Sequence, residues 1–575
     1  MIHSDARERA LKWLEPHFDQ DTQLEVSKLL NSNEELLTDS FYKDLEFGTG
    51  GMRGLMGVGT NRLNKYTLGK NAQGLSNYLK TEFPDQQISV AIAYDCRHNS
   101  DIFSQTVANV LSANGIKVYL FDELRPTPLL SYTVRSLQCH CGIVLTASHN
   151  PPEYNGFKVY WQDGGQLVPP QDKGLLSEIN TLNFNEINFS AQADLIHRIG
   201  TELDEKFYVD ALKNGSLGST SLDKDNIKIV FTSLHGTSIT MVPEILKRAG
   251  FRNVHIVKEQ AIPDGDFPTV ASPNPEEPDA LKMAMEQAQS IGANIVIGTD
   301  PDSDRIGIAV RNQEGQLELL NGNQTMVVMT DFLLQKAKNN HAIKNNSFIA
   351  STVVSSPMML ELGKLYGVEC LLGLTGFKWI AKMIKDFPQR HFIGGGEESY
   401  GFMVGDFVRD KDAVTAALLA CEIVAVSKSR GGSFYQHLIN LYTKTGCYQE
   451  RLISITKKGA AGLEEISTLM SNARLSPPKM LGGQKVVKME DFQSSQSLDI
   501  LSQHSSPIDH PKSNVLIFYA EDGSMVAMRP SGTEPKIKYY ISVNCPLPDA
   551  SDYGAIKTVL LNKIDLIALD LESLR

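Results

Sequence analysis

The sequence predicts an α/β protein made of three doubly wound αβ domains with mixed sheets and a C-terminal α+β domain. Three observations support this. Apolar strand-like runs alternate with helix-like segments between residues 88 and 393. The chain has 575 residues, too many for a single core, and about 150 residues per domain suggests roughly four domains. From about Arg451 the order changes to a helix, short strands and a closing helix, which is α+β.

The first αβ region follows an N-terminal helical extension and begins near residue 45. Ile88–Tyr94, Ile116–Phe121 and Ile143–Thr146 read as strands, and Asn99–Asn114 as a helix, which predicts right-handed βαβ units. The polar stretch Lys213–Asp225 reads as a linker. In the second series Ile227–Phe231, Val254–Val257 and Asn294–Gly298 are strands, and Ile239–Ala249 and Asp279–Ser290 are helices. Ala337–Asn346 is polar and marks another boundary. The third series has strands at Phe348–Thr352, Glu369–Leu372 and His391–Ile393, with helices at Met358–Tyr366 and Gly376–Ile384. In the last region a helix near Leu463–Asn472 precedes strands at Val515–Tyr519, Ser524–Met528 and Lys536–Val543, and Tyr553–Leu574 is an amphipathic helix. The expected domains are 1–220, 221–338, 339–450 and 451–575.

A net charge of −12 argues against nucleic acid or an anionic membrane as the main partner, although basic clusters inside a cleft still suit an anionic small molecule. The longest apolar run, Ala413–Val426, is too short to span a bilayer, is interrupted by Glu422, and reads as a buried helix. The N-terminus has no signal-peptide core. Seven cysteines without metal-type spacing read as reduced thiols, which points to the cytoplasm.

Four motifs carry chemistry. In the first, Ser148 of Thr146-Ala147-Ser148-His149-Asn150-Pro151 follows the apolar run Gly142–Leu145. A serine is thereby placed at the C-terminal mouth of a buried strand, where open α/β sheets bind ligands. His149 and Lys158 are close in sequence. In the second, Asp300, Asp302 and Asp304 follow the apolar run Asn294–Ile297. In an extended segment alternate residues face one side, so three carboxylates converge as hard oxygen ligands suited to Mg²⁺. An EF-hand does not fit, because Arg305 and Arg311 stand where Gly and Glu are needed; a solvated acidic loop is the alternative.

In the third motif, Arg529 offers a planar fork for phosphate, Ser531 and Thr533 offer hydroxyls, Gly532 allows close backbone approach, and Lys538 adds charge. A plain β-turn with flanking charges competes with that reading. In the fourth, Glu397 and Ser399 of Gly396-Glu397-Glu398-Ser399 follow a strand and suit sugar hydroxyls, with a tight glycine turn as the alternative. Arg409 and Lys411 add a basic contact or simply charge a helix N-terminus. Arg53 and Arg97, read as lying on Gly-rich turns, either face an anion or form ion pairs, and His235 after a strand reads as structural.

Taken in order, these motifs resemble the α-D-phosphohexomutase family over nearly the whole chain from Phe47. The spelling FGTGGMRG and the segment Tyr160–Gly165 look most like its phosphoglucomutase/phosphopentomutase branch. The resemblance implies four domains arranged around a central cleft, each giving one loop. It implies a phosphoserine at Ser148, Mg²⁺ held by Ser148, Asp300, Asp302 and Asp304, and Arg305 near the transferring phosphoryl. Glu397 and Ser399 would grip the sugar. Arg529, Ser531, Gly532, Thr533 and Lys538 would hold the phosphate that is not being transferred, and Arg53, His149 and Lys158 would surround proton transfer. Thr375, Gly376 and Phe377 resemble the sugar-discriminating loop, with Phe377 where other branches use Trp or His. The implied reaction interconverts a sugar 1-phosphate and a sugar 6-phosphate, most simply of glucose, through a sugar 1,6-bisphosphate, in a monomer or weak dimer. Mannose and pentose phosphates remain open, as do a phosphohydrolase, a bisphosphate synthase and a sugar-phosphate-binding protein. A serine hydrolase does not fit, since no G-x-S-x-G elbow surrounds Ser148.

Overall fold

The computed structural model describes residues 2–48, 51–457, 459–531 and 535–573. Four sheets follow one another along the chain. The first has seven strands in the spatial order Phe47–Gly48, Gly51–Leu55, Tyr154–Trp161, Cys141–Leu145, Ser89–Tyr94, Lys117–Phe121, Ile196–Ile199. Its Cys141–Leu145, Ser89–Tyr94 and Lys117–Phe121 strands are parallel, and Tyr154–Trp161 is antiparallel to Cys141–Leu145. Every residue of Cys141–Leu145 is buried, as expected for a strand covered on both faces.

The second sheet has five strands and the third four. Both repeat one device of the first. A parallel strand runs into a short loop and returns antiparallel beside itself: Cys141–Leu145 into Tyr154–Trp161, Ile295–Thr299 into Ile306–Arg311, and His391–Gly396 into Phe402–Val404. The Ser148, Asp300–Asp304 and Glu397–Ser399 segments are these three equivalent loops. The fourth sheet is antiparallel, with Cys447–Thr456 paired along its whole length to Lys536–Cys545, which in turn pairs with Met525–Pro530. The helices Gly459–Leu475 and Tyr553–Ser573 belong to this unit.

The N-terminal extension is three helices, Ile2–Lys12, Gln20–Ser32 and Glu34–Phe41. Trp13 anchors them, 4.7 Å from Phe18, 5.5 Å from Phe41 and 5.2 Å from Phe184 between ring centroids. Asp19 and Asn33 cap the second and third helices by accepting from the Thr22 and Leu36 amides.

Two boundary expectations change. Lys213–Asp225 is not a plain linker. The helix Thr201–Gly215 runs into it, and Ser221–Asp225 is a short helix capped by Thr220. Its Lys224 reaches Glu422, 2.9 Å away and fully buried inside the helix Ala413–Ser429. A tertiary ion pair, invisible to local composition, orders that stretch. Likewise the helix Gly322–Asn339 extends into the polar segment read as a boundary, and it packs on the strand His391–Gly396 of the third sheet. Among the described residues no helix is long and apolar enough to cross a membrane.

Candidate active site at the meeting of three loops

Ser148 is 2% exposed and its backbone is left-handed, with φ +52°. Its amide donates to Thr146 Oγ1 (2.8 Å), and its hydroxyl donates to Asp300 Oδ2 (2.7 Å). His149 Nδ1 lies 3.1 Å from the same hydroxyl. The loop can turn this tightly because Gly156 lies against it, where a Cβ would come within 2.4 Å of the Thr146 carbonyl.

The three aspartates converge, but not through an extended backbone. Residues 300–304 form a turn in which the Ser303 amide donates to the Asp300 carbonyl (3.0 Å) and Ser303 is left-handed. Asp300 Oδ1 accepts from the Asp304 and Arg305 amides, at 3.0 and 2.9 Å. Carboxylate oxygens of Asp300, Asp302 and Asp304 come within 4.8 Å of one another, and all three residues are buried. Asp302 Oδ1 and Asp304 Oδ1 are buried with no hydrogen-bond partner. Clustered acceptor oxygens of this kind, left unsatisfied in a buried position, fit a hard divalent cation.

Two lysines flank the triad. Lys158 Nζ lies 2.7 Å from Asp302 Oδ2 and 3.3 Å from Asp304 Oδ2, and Lys411 Nζ lies 3.2 Å from Asp304 Oδ2. Thr127 Oγ1 donates to Asp302 Oδ2 (3.1 Å), and the Thr127 amide to the Asp302 carbonyl (2.9 Å). Burial, with Asp302 and Asp304 adjacent, raises the Asp300 carboxyl well above its usual range. Burial opposes the charge on Lys158, yet Asp302 and Asp304 carry its pKa above the ordinary lysine value. Burial, with Arg305 and Arg53 nearby, pushes His149 well below the imidazole range, so it is neutral.

The third loop docks on the second. Arg305 and Gly401 form an antiparallel bridge, and the Ile306 amide donates to the Tyr400 carbonyl (3.0 Å). Burial lifts Glu397 to about 7 against the pull of Lys411. Its neighbour Glu398 is used structurally, accepting from Thr352 Oγ1 and Ser355 Oγ at 3.2 and 2.8 Å.

A cleft of about 860 Å³ opens in front of these loops. Arg53, His149, Lys158 and Arg305 line it, and the fourth unit closes it with Arg529, Ser531, Lys536 and Lys538. Arg53 reaches Asn150 Oδ1 (2.8 Å), while Arg305 pairs with Glu276 in a very short contact. Gly532 and Thr533 lie outside the described residues.

The other expected sugar contacts sit apart from this wall. Phe377 is 3% exposed within the third unit's core, with Lys411 5.6 Å above its ring. Thr375 Oγ1 is buried without a hydrogen-bond partner, and Gly376 is left-handed with open space beside it. Ser399 is half-buried in the third loop. The Arg409 side chain turns back to the Asp406 carbonyl (2.7 Å).

Sequence reasoning missed several contributors. Asp39, Tyr42 and Lys43 bring the end of the N-terminal extension into the cleft wall. Glu276 and Thr127 serve Arg305 and the triad from elements with no motif of their own. Arg97 forms a buried ion pair, its Nε 3.4 Å from Asp95 Oδ2, and its terminal nitrogens bind backbone carbonyls of the Ser148 loop. Nothing local signals these roles, because each depends on a partner distant in sequence. His235 is structural as expected, 2.9 Å from Thr269 Oγ1 and 3.1 Å from the Ile262 carbonyl.

Residues 44–186, 206–315 and 321–442 match the alpha/beta/alpha domains I, II and III described for phosphoglucomutase/phosphomannomutase. A phosphoglucomutase of Staphylococcus epidermidis is 39% identical over 521 residues, covering 90% of this chain and 93% of its own length. The chain belongs to the phosphoglucomutase/phosphomannomutase family. A phosphoglucomutase of Staphylococcus aureus is 38% identical over 517 residues, or 88% of this chain and 91% of its own. Two solved structures share the fold. The phosphoglucomutase of Paramecium in its open form has a TM-score of 0.67 at 18% identity, covering 93% of this chain and 96% of that one. A family protein of Burkholderia thailandensis has a TM-score of 0.64 at 17% identity, covering 92% and 97%. Within the family frame, Ser148 lies in domain I, the aspartates in domain II and Glu397 in domain III. The unit carrying Arg529 follows the matched segments.

Proposed function

We propose that this protein is a phosphoglucomutase that interconverts glucose 1-phosphate and glucose 6-phosphate through a phosphoserine at Ser148. The observation that carries this reading is the 2.7 Å contact between Ser148 Oγ and Asp300 Oδ2, at the head of a cleft lined with cations. Relatives named phosphoglucomutase, 38–39% identical over most of the chain, support glucose as the sugar.

Asp300, Asp302 and Asp304, with an oxygen of the phosphorylated Ser148, would hold Mg²⁺, which when bound neutralises charge on the phosphoryl group. The chain's own residues do the rest. Arg53 and Arg305 face the transferring group and offset its growing charge. As the bond from phosphorus to Ser148 Oγ breaks, one forms to the free sugar hydroxyl, whose proton must leave. Lys158 is held charged between two carboxylates and is suited to bridging them. His149, 3.1 Å from Oγ, is neutral because burial and the nearby Arg305 and Arg53 disfavour its charged form; the negative charge of phospho-Ser148 raises its proton affinity and lets it take up that proton. The resulting glucose 1,6-bisphosphate turns within the cleft and returns its other phosphoryl to Ser148. Arg529, Ser531, Gly532, Thr533 and Lys538 hold the distal phosphate. Glu397 and Ser399 orient the sugar, and Thr375, Gly376, Phe377, Arg409 and Lys411, set back from the cleft wall, support them from within the same unit.

The division into units ending near residues 220, 338 and 450 gives each unit one of these tasks. A coupled mutase assay across glucose, mannose, glucosamine and ribose 1-phosphates, with and without added glucose 1,6-bisphosphate, tests the reading. Fastest turnover on glucose 1-phosphate, stimulated by the bisphosphate, is expected. Release of inorganic phosphate without isomerisation would point to a phosphohydrolase.

A further inference from the structure

We propose that Arg97 is a positioning residue that sets the attack geometry of Ser148, by gripping the backbone of its loop and tying that loop to the unit bearing Asp300. This inference rests on the mutase reading above. The Arg97 side chain is completely buried. One terminal nitrogen donates to the Pro151 and Tyr154 carbonyls (2.7 and 2.9 Å), and the other to the Ser148 carbonyl (2.7 Å) and, in a very short contact, to that of Asn150. Four carbonyls of one loop therefore converge on one guanidinium. A planar fork of donors can satisfy such a set, and the single nitrogen of a lysine cannot.

The grip matters because of what it holds. Ser148 is in the left-handed region, which a side-chain-bearing residue rarely adopts, so its conformation has to be imposed by its surroundings. Arg97 binds the carbonyl of Ser148 itself and those of its neighbours 150 and 151.

The clamp is also anchored. Asp95 lies 3.4 Å from Arg97 Nε and accepts from the Arg97 amide (2.9 Å) and from Ser100 Oγ (2.8 Å). On the other side the Phe267 ring of the second unit stacks 5.0 Å from the guanidinium. Gly265 lets that segment approach, since a Cβ there would sit 2.8 Å from the His98 amide nitrogen, and His98 Nε2 meets Asp266 Oδ1 at 2.6 Å. The Ser148 loop and the segment 264–267 of the second unit thus share one side chain. That link holds Oγ at a set distance from the triad. Phosphoryl transfer breaks one P–O bond as another forms in line, so its rate depends steeply on that distance.

The test uses Arg97→Lys and Phe267→Leu in the full chain. Phosphoserine stoichiometry after incubation with glucose 1,6-bisphosphate counts competent sites, and kcat is expressed per competent site. Arg97→Lys should lower this kcat by about 100-fold with KM for glucose 1-phosphate changed less than about threefold, and Phe267→Leu should lower it by about tenfold. Hydrogen exchange at residues 146–154 should accelerate in both variants, a readout that needs no mutase activity. A per-site kcat equal to wild type in Arg97→Lys would overturn the proposal, because a merely structural arginine changes the number of competent sites and not their rate. Should Arg97→Lys fail to fold, an unchanged per-site kcat in Phe267→Leu overturns it instead. A wild-type protein that never isomerises glucose 1-phosphate defeats the mutase reading, and the exchange data then still decide whether Arg97 orders the loop.

Discussion

Ser148 Oγ and Asp300 Oδ2 are 2.7 Å apart although 152 residues separate them and they belong to different sheets. Each stands in the loop that follows a buried parallel strand and precedes its antiparallel return. Two equivalent hairpin loops facing each other bring Ser148 and the acidic triad together, and the proposed phosphoryl transfer depends on that meeting.

In the proposed mechanism Ser148 Oγ carries the phosphoryl group, and Ser148→Ala removes it. Isomerisation should fall by at least about 10⁴-fold while the circular dichroism spectrum is unchanged. A variant retaining a tenth of wild-type turnover would sink the covalent role.

Asp302→Asn removes one carboxylate of the triad proposed to hold Mg²⁺ and leaves Lys158 with less to bind. Activity should drop, and the Mg²⁺ concentration for half-activation should rise by at least about tenfold. Titrating Mg²⁺ into chelator-treated enzyme checks this, and an unaltered metal response would remove the triad from the metal site.

Arg529 lines the cleft on the unit that closes it. A charge-assisted pair with phosphate is worth about 1.5–3 kcal/mol, so Arg529→Ala should raise KM for glucose 1-phosphate by roughly 10- to 100-fold. Steady-state kinetics decide it, and an unchanged KM rejects the phosphate pocket.

Glu422 is fully buried and pairs with Lys224 at 2.9 Å. Glu422→Ala leaves the lysine uncompensated in a buried setting, at a cost of about 3–5 kcal/mol. The double variant Lys224→Met with Glu422→Leu should recover most of that loss in a denaturant melt. No recovery would show that the pair acts through something other than its charge.

Asp19 caps the helix Gln20–Ser32. Its partial burial pushes the carboxyl upward, but hydrogen bonds from Thr22, Lys65 and Tyr66 bring it down from 3.8 to about 2. A carboxyl lowered on folding stabilises above its unfolded value, and that contribution is lost as pH falls from about 4 towards 2. Asp19→Ala should therefore cost about 1 kcal/mol at pH 7. The difference from wild type should shrink near pH 2. Hydrogen exchange across the helix at both pH values measures it, and a difference that persists in acid would assign the effect to packing.

The motifs were legible because their chemistry is local. A serine after a buried run, three aspartates spaced by two, and Arg529 beside Ser531 announce themselves in a few residues each. The aspartates are gathered by a turn and not by an extended backbone, because Ser303 is left-handed and its amide closes on the Asp300 carbonyl. Lys213–Asp225 has the composition of a linker yet is ordered, because Lys224 finds its partner Glu422 198 positions later, at 2.9 Å.

By itself the sequence determined the order of elements, the kind of chemistry and the identity of the loops, all of which are written in short-range pattern and residue type. Only the tertiary structure decided that those loops meet, that Arg97 grips carbonyls of the Ser148 loop, and that the end of the N-terminal extension reaches the cleft wall. Such pairings follow from how the sheets pack against one another, and no stretch of chain records the neighbour that folding will bring to it.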